Sequence, residues 1–318
     1  MNKKLVAILV VAVVITSVVA YNYFSRPSEL EGTIKISGAF ALYPMMVKWA
    51  EEYEKIYPKV RIEVSAGGAG KGMTDALSDL VDIGMVSREI QPEETQKGAF
   101  YVTVTKDAVL VTVNAKNPVL KDLLVMGISK ETFYDIFVAG NITTWGQVIG
   151  KPEVTDQINV YTRSDACGAA DNWAKYLGKK QEDLKGIGVY GDPGLLDAVK
   201  NDPLAIGYNN LGFAFDVKTK NQIDGISVVP IDLNKNGLID PSEDFYSSKE
   251  TLVQAILQGA YPTPPARNEY LVTKEKFTGI TKDFVKWILT DGQKYVEEAG
   301  YVPLPTDILS DQLKKLGE

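Results

Sequence analysis

Four short stretches of this chain carry residues at spacings suited to ion binding. The first, DLNKNGLIDPSE, sets carboxylates or amides at its first, third, fifth, ninth and twelfth positions: Asp232, Asn234, Asn236, Asp240 and Glu243. Gly237 stands sixth, where such a loop must turn sharply, and Ile239 eighth. With the carbonyl of Leu238 these groups make an oxygen cage of the EF-hand kind, suited to a structural calcium ion. The other three are strand-to-helix turns: SGAFALYP from Ser37, AGGAGKGM from Ala66 and RSDACGAADNW from Arg163. Each sets small residues at a helix start, where unpaired backbone N–H groups and the helix dipole attract an anion. Lys71 and Arg163 add a cationic donor inside two of them.

Composition narrows the chemistry. The chain has no histidine, which removes His-based general bases, Ser-His triads and nearly all zinc and copper sites. Cys167 is the single cysteine, so there is no internal disulfide, and nothing stands ready to activate it as a nucleophile. A net charge of −7 argues against nucleic acid as a partner and makes any anion site a local arrangement in an acidic body. GAGKG is not a nucleotide P-loop, which needs wider glycine spacing and a hydroxyl after the lysine. No activated nucleophile and no paired catalytic carboxylates are in view, so no enzyme is expected.

The elements that must hold these turns follow from periodicity. EGTIKISG and KVRIEVSA read as strands, and YPMMVKWAEEYEKIYP between them has helical spacing that stops at Pro58. The glycine turn leads into a helix, MTDALSDL, and then a strand, VDIGMVS. That alternation means a parallel sheet with helical crossovers. DAVLVTVNA is a long β-rich run. After it the alternation resumes: KETFYDIFVAG helical, INVYTRS strand, AADNWAKYLG helix, GIGVYG strand, GLLDAVKN helix and AIGYNN strand. NEYLVT is again a strand, and the amphipathic runs ITKDFVKWILTDGQKYVEEAG and the tail after YVPLP close the chain. Two α/β lobes joined by two strands, at about 108–115 and 267–273, are the simplest arrangement. At the N-terminus, Leu5 to Phe24 is uncharged behind MNKK, as in a signal peptide or an uncleaved membrane anchor with its tail inside.

In order and spacing, these motifs resemble the phosphate-binding proteins of ABC importers, the PstS-type members of the type II periplasmic-binding-protein superfamily. SGAFALYPMMVKWAEEYEK stands where that family has a GSTTLYP-like turn and a KWA helix. GAGKGMTDALSDLVDIGMVSRE, YDIFVAGNITTWGQV and VYTRSDACGAADNWAKYLG match its further segments, and the likeness runs over roughly 33–300. The resemblance implies an α/β, two-lobed fold in which each lobe is a mainly parallel sheet flanked by helices, with two hinge strands between them. It implies an anion held by main-chain N–H groups of Ala41 and Leu42, by Gly70, Lys71 and Gly72, and by Cys167, Gly168 and Ala169 at the second lobe's helix start. Arg163 would supply the charge-assisted pair. Asp82 would accept the proton of a protonated oxyanion, favouring hydrogen phosphate over sulfate. This chain departs from the family pattern in its hydroxyls: Ala39, Phe40 and Ala41, Lys71, and Cys167 and Ala169 stand where serine or threonine is usual.

The expected organisation is a leader over 1–28, a first lobe over 29–110 plus 270–318, and a second over 111–269 that carries the calcium loop, 232–243, as an insertion. The expected function is extracytoplasmic capture of phosphate, or of a related oxyanion, with delivery to an ABC transporter permease and no covalent chemistry. The other reading is a membrane-anchored sensing or adhesion module that keeps the fold but reads calcium or a protein partner. The calcium loop enters from a strand and leaves into a helix, so it cannot open a groove as paired EF-hands do and would staple the second lobe.

Overall fold

A computed structural model describes residues 30–318, so the leader expected over 1–28 lies outside the described residues. Strand β1 (Gly32–Gly38) leads to helix α1 (Tyr43–Ile56), β2 (Val60–Ala66), α2 (Ala69–Leu77) and β3 (Ile83–Val86). β1 pairs in parallel with both β2 and β3. Met45, Met46, Trp49, Ala50 and Tyr53 form the buried side of α1, and the helix ends at Tyr57 because Pro58 cannot continue it. α2 lies so close to the sheet that a Cβ on Gly72 would stand 2.4 Å from Met85 O and 2.8 Å from Gly38 Cα. Only glycine permits that approach.

β4 (Ala99–Asn114) is a single strand of 16 residues. The second lobe then builds β5 (Asn159–Arg163), α3 (Gly168–Tyr176), β6 (Ile187–Val189), α4 (Gly191–Asn201), β7 (Ala205–Asn210) and β8 (Ile226–Val228). Helix α5 (Lys249–Leu257) and two consecutive cis prolyl bonds, at Thr263–Pro264 and Pro264–Pro265, precede β9 (Ala266–Lys274). The sheet runs β2-β1-β3-β9-β4-β7-β5-β6, with β8 also on β4. β4 belongs to both lobes: from Ala99 to Ala108 it pairs with β9, and from Val109 to Val113 with β7. A hydrophobic core lies on each side of that division. Ile36, Trp49, Met85, Leu271 and Phe284 are in one, and Leu110, Phe137, Trp173, Ile206 and Tyr208 in the other.

The long C-terminal run expected as one helix is broken. Helix α6 (Gly279–Leu289) stops, a 3₁₀ turn covers Asp291–Gln293, and a short helix resumes over Lys294–Glu298. The cause is tertiary: Gly292 packs against the Trp287 ring, and its carbonyl accepts the Trp49 indole N–H at 2.9 Å. The break places Gln293 so that its side chain donates to Val104 O and Ile288 O. α7 (Thr306–Leu316) closes the chain against α6 and β4.

Candidate functional site

β5 delivers Arg163 to the wall between the lobes, where its side chain is fully buried. Its Nε and Nη2 donate to the two oxygens of Asp165, at 2.8 and 2.6 Å, and its Nη1 to Asp192 at 2.7 Å. Burial works against this cation, but Asp192 and Asp165 outweigh it and raise its pKa. Asp192 in turn accepts from Asn210, at 2.5 Å. Phe40 crosses from the first lobe and lies with its ring centroid 5.5 Å from the guanidinium carbon, a cation–π contact, with Tyr190 meeting it edge-on. The Arg163 fork is thus neutralised by two acids and covered by an aromatic ring.

The glycine turn of α2 meets the second lobe directly. Gly70 N–H donates to Ala166 O at 3.2 Å, and Gly72 N–H to Gly68 O at 3.1 Å. Both expected anion donors are therefore spent inside the protein, and Gly72 acts as a spacer against β1 and β3. Lys71 turns along its own helix onto Asp75, which also accepts the Ser37 hydroxyl at 2.6 Å. Burial would raise the Asp75 pKa, but Lys71 and Ser37 outweigh it and hold the carboxyl below its usual range. At α3, Cys167 N–H goes to Gln181 at 3.2 Å, and the sulfur accepts from Ala170 N–H. Burial pushes the Cys167 thiol up to about 12, so it stays protonated and is no nucleophile. Among the described residues, the N–H groups of Ala41, Leu42, Gly168 and Ala169 have no protein acceptor. With the Lys71 N–H, which likewise has no protein acceptor among the described residues, these are the expected main-chain donors that remain.

Asp82 does not reach the cleft. It is exposed at the start of β3, where its carboxylate accepts Lys35 N–H at 2.7 Å and its own N–H goes back to Lys35 O. In a parallel sheet the ligand-facing end is the carboxyl end of each strand, and β3 presents Ser87 there. Ser87 is buried, and its carbonyl accepts Asn172 Nδ2 at 3.1 Å; a Cβ on Gly168 would stand 2.1 Å from that carbonyl oxygen. Sequence reasoning passed over Ser87, although its place just after the apolar run IGMV marked it. Asp82→Asn is accordingly expected to leave anion affinity within about twofold of wild type, measured by titration calorimetry; a larger loss would return Asp82 to the site.

Behind Arg163 lies a buried polar cluster that the alternation of β4 and β9 did not reveal. Arg267 bonds Asn210 Oδ1, Asp107 at 3.0 Å and Glu269 at 3.3 Å. Burial pushes Asp107 up to about 6 and Glu269 well above the usual carboxylate range. Two guanidinium groups thus face four carboxylates, Asp107, Asp165, Asp192 and Glu269. A raised folded pKa means stability present below the unfolded value, near 3.8, and lost as pH rises through about 6. Asp107→Asn removes that loss. Its melting temperature relative to wild type is expected to improve between pH 4 and pH 7.5, by the equivalent of ~2 kcal/mol. A difference independent of pH would contradict the assignment.

This chain is similar to a known family. The model of the PBP superfamily domain matches residues 26–292. The chain belongs to the PBP superfamily. PstS, the phosphate-binding protein of Methanocaldococcus jannaschii, is 29% identical over 89% of this chain and 86% of its own. PstS of Bacillus subtilis is 26% identical over 87% and 82%. A Clostridium perfringens substrate-binding protein, ascribed to a phosphate ABC transporter and solved with bound phosphate, superposes with a TM-score of 0.70 at 26% identity. It covers 86% of this chain and 100% of its own. In this two-lobed PBP the candidate site lies between the carboxyl ends of strands from both lobes.

The acidic loop of this PBP is stapled into the second lobe. Ile231–Asp232 pairs with Ile128–Ser129, and Ile239 N–H donates to Val125 O at 2.9 Å. Asp232 accepts the N–H groups of Lys235 and Gly237, and Glu243 those of Leu233, Asn234 and Asp240. Asn234 and Asn236 both donate to Asp240. Among the described residues no three Asp, Glu, His or Cys side chains gather as a metal cluster. The donor set is nonetheless all oxygen, and Gly237 makes the sharp turn at φ 79°.

Proposed function

We propose that this protein captures phosphate, or a closely related oxyanion, between its lobes outside the cytoplasmic membrane and hands it to an ABC importer without covalent chemistry. The observation that carries this reading is Phe40, next in sequence to the free N–H groups of Ala41 and Leu42, lying over the guanidinium of Arg163, whose strand leads into the free N–H groups of Gly168 and Ala169 at the start of α3. An oxyanion there meets a cation and main-chain donors from both lobes, so binding favours closure. The lobes, 29–110 plus 270–318 and 111–269, would close by bending about β4 and the return crossing before β9. In the described conformation Phe40 occupies the approach to Arg163 and must give way.

Titration calorimetry of the full chain with phosphate, with sulfate as control, tests the reading. Saturable heat with phosphate and none with sulfate supports it. No heat with either would remove the oxyanion from the cleft. The uncharged run from Leu5 to Phe24 fits a membrane tether, which fractionation of the full chain would detect.

The EF-hand-like loop fits Ca²⁺ as a structural ion held by Asp232, Asn234, Asn236, Leu238 O, Asp240 and Glu243, once the two amides turn their oxygens inward. Calcium is then expected to raise the melting temperature where magnesium does not. Equal melting in calcium and in chelator would sink that role.

A further inference from the structure

A second compartment lies between the lobes, away from the Arg163 wall. It is a cavity of about 200 Å³, bordered by Glu89, Lys106, Arg267, Asn268 and Tyr270 on the first-lobe side, by Asn172, Lys175 and Ile256 from the second, and by the return crossing from Thr263 to Ala266. The register of β4 and β9 explains why it is separate. Lys106 lies opposite Asn268, and Asp107 opposite Arg267. Residues opposite one another share a face, and neighbours along a strand take opposite faces. The pair of strands is therefore a partition: Asp107 faces the buried cluster behind Arg163, Lys106 and Asn268 face the cavity, and Arg267 stands in the wall between them, bonded to the cluster and bordering the cavity.

Three observations define what the cavity takes. The Lys106 ammonium has no acceptor among the described residues, while Lys175 and Glu89, which border the same space, neutralise each other at 3.0 Å, Lys175 also reaching Asp171 at 3.2 Å. Asn172 is only 4% exposed, and its Nδ2 is spent on Ser87 O and Gly168 O. Its Oδ1 therefore faces the space with an acceptor and no donor. Ile256, Pro264 and Ala266 give an apolar wall. The volume equals roughly six or seven waters at about 30 Å³ each, which is more than a bare ion needs.

We infer that this cavity is a binding site for a small hydroxylated organic anion. Its charged group pairs with Lys106, a hydroxyl donates to Asn172 Oδ1, and its carbon body lies on Ile256 and Pro264. The site does not depend on the phosphate reading, because neither Lys106 nor Asn172 Oδ1 contacts Arg163; Arg267 and Asn172 are the links between the two places. A carboxylate and a phosphomonoester would both satisfy it, and the probes separate them: malate and glycerol 3-phosphate, titrated into the full chain with and without saturating inorganic phosphate.

The expected result is saturable binding of at least one probe, undisturbed by inorganic phosphate and weakened about tenfold by Lys106→Gln, the loss of one charge-assisted hydrogen bond. The Lys106 side chain has no structural partner, so the variant should fold, and an unchanged melting temperature would verify that. Absence of saturable binding of both probes overturns the site, as does binding undiminished in Lys106→Gln. Competitive displacement by inorganic phosphate would also overturn it, because the probe would then sit at Arg163. If phosphate itself fails to bind while a probe binds, the function proposed above falls and this site stands.

Discussion

Arg163→Met is expected to abolish phosphate binding and to lower the melting temperature by about 10 °C. The two effects have separate causes. Binding is lost because the cation at the meeting point of the two lobes is gone, and main-chain N–H groups alone do not offset the desolvation of a dianion. Stability is lost because Asp165 and Asp192 are left buried without their cation. Removing one partner of a buried ion pair costs about 3–5 kcal/mol, and here a single side chain serves two acids. Arg163→Lys separates the effects. An ammonium keeps the charge but cannot donate to Asp165 through two nitrogens while reaching Asp192. That variant should recover part of the melting temperature and bind phosphate at least about tenfold more weakly than wild type. Calorimetry at constant pH, with scanning calorimetry of the same samples, measures both. Arg163→Met that still binds phosphate at wild-type strength would place the anion elsewhere.

The fold was legible where one periodicity governed a segment. α1 buries the residues its spacing picks out, and the alternation through β1, β2 and β3 fixed the parallel first lobe. The broken helix after Leu289 was not legible, because its cause is the indole of Trp49, 243 residues away, bonding the backbone at Gly292. The site divides in the same way. Arg163 could be read from its place at the end of a strand, but its second acid, Asp192, comes 29 residues later and its aromatic cover from another lobe. Asp82 was misplaced for a reason the sequence could have corrected. It precedes β3, and a parallel strand carries its ligand-facing residues at the other end. Nothing in the alternation of their strands marked Asp107, Arg267 and Glu269 as buried, and all three are. Charge on a strand says little about exposure when another charged strand is its partner.

Phe40→Thr is expected to raise phosphate affinity by roughly 10- to 100-fold, the value of one hydrogen bond to a charged acceptor. Phe40 does three things at once: it fills the approach to Arg163, offers its ring face to the cation, and ties the first lobe to Tyr190 of the second. Each of these stabilises the closed arrangement without a ligand, so an incoming anion must first undo them. A receptor whose competent state is only partly populated binds with an affinity reduced by that fraction. Threonine removes the ring and adds a hydroxyl beside the free N–H groups of Ala41 and Leu42. Phe40→Ala removes the ring without adding a donor, so its gain should fall between the two proteins. Phe40→Trp keeps the cover and should bind no better than wild type. The order Thr, Ala, Phe in phosphate affinity, read by calorimetry, distinguishes a plug from a ligand contact. If Phe40→Ala instead binds phosphate more weakly than wild type, the ring supports the anion site and does not obstruct it. Small-angle scattering of the ligand-free proteins gives an independent reading: the alanine variant should be the more open, because it loses the ring's contacts with Arg163 and Tyr190 across the lobes and keeps only bonds such as Gly70 N–H to Ala166 O and Asn172 Nδ2 to Ser87 O.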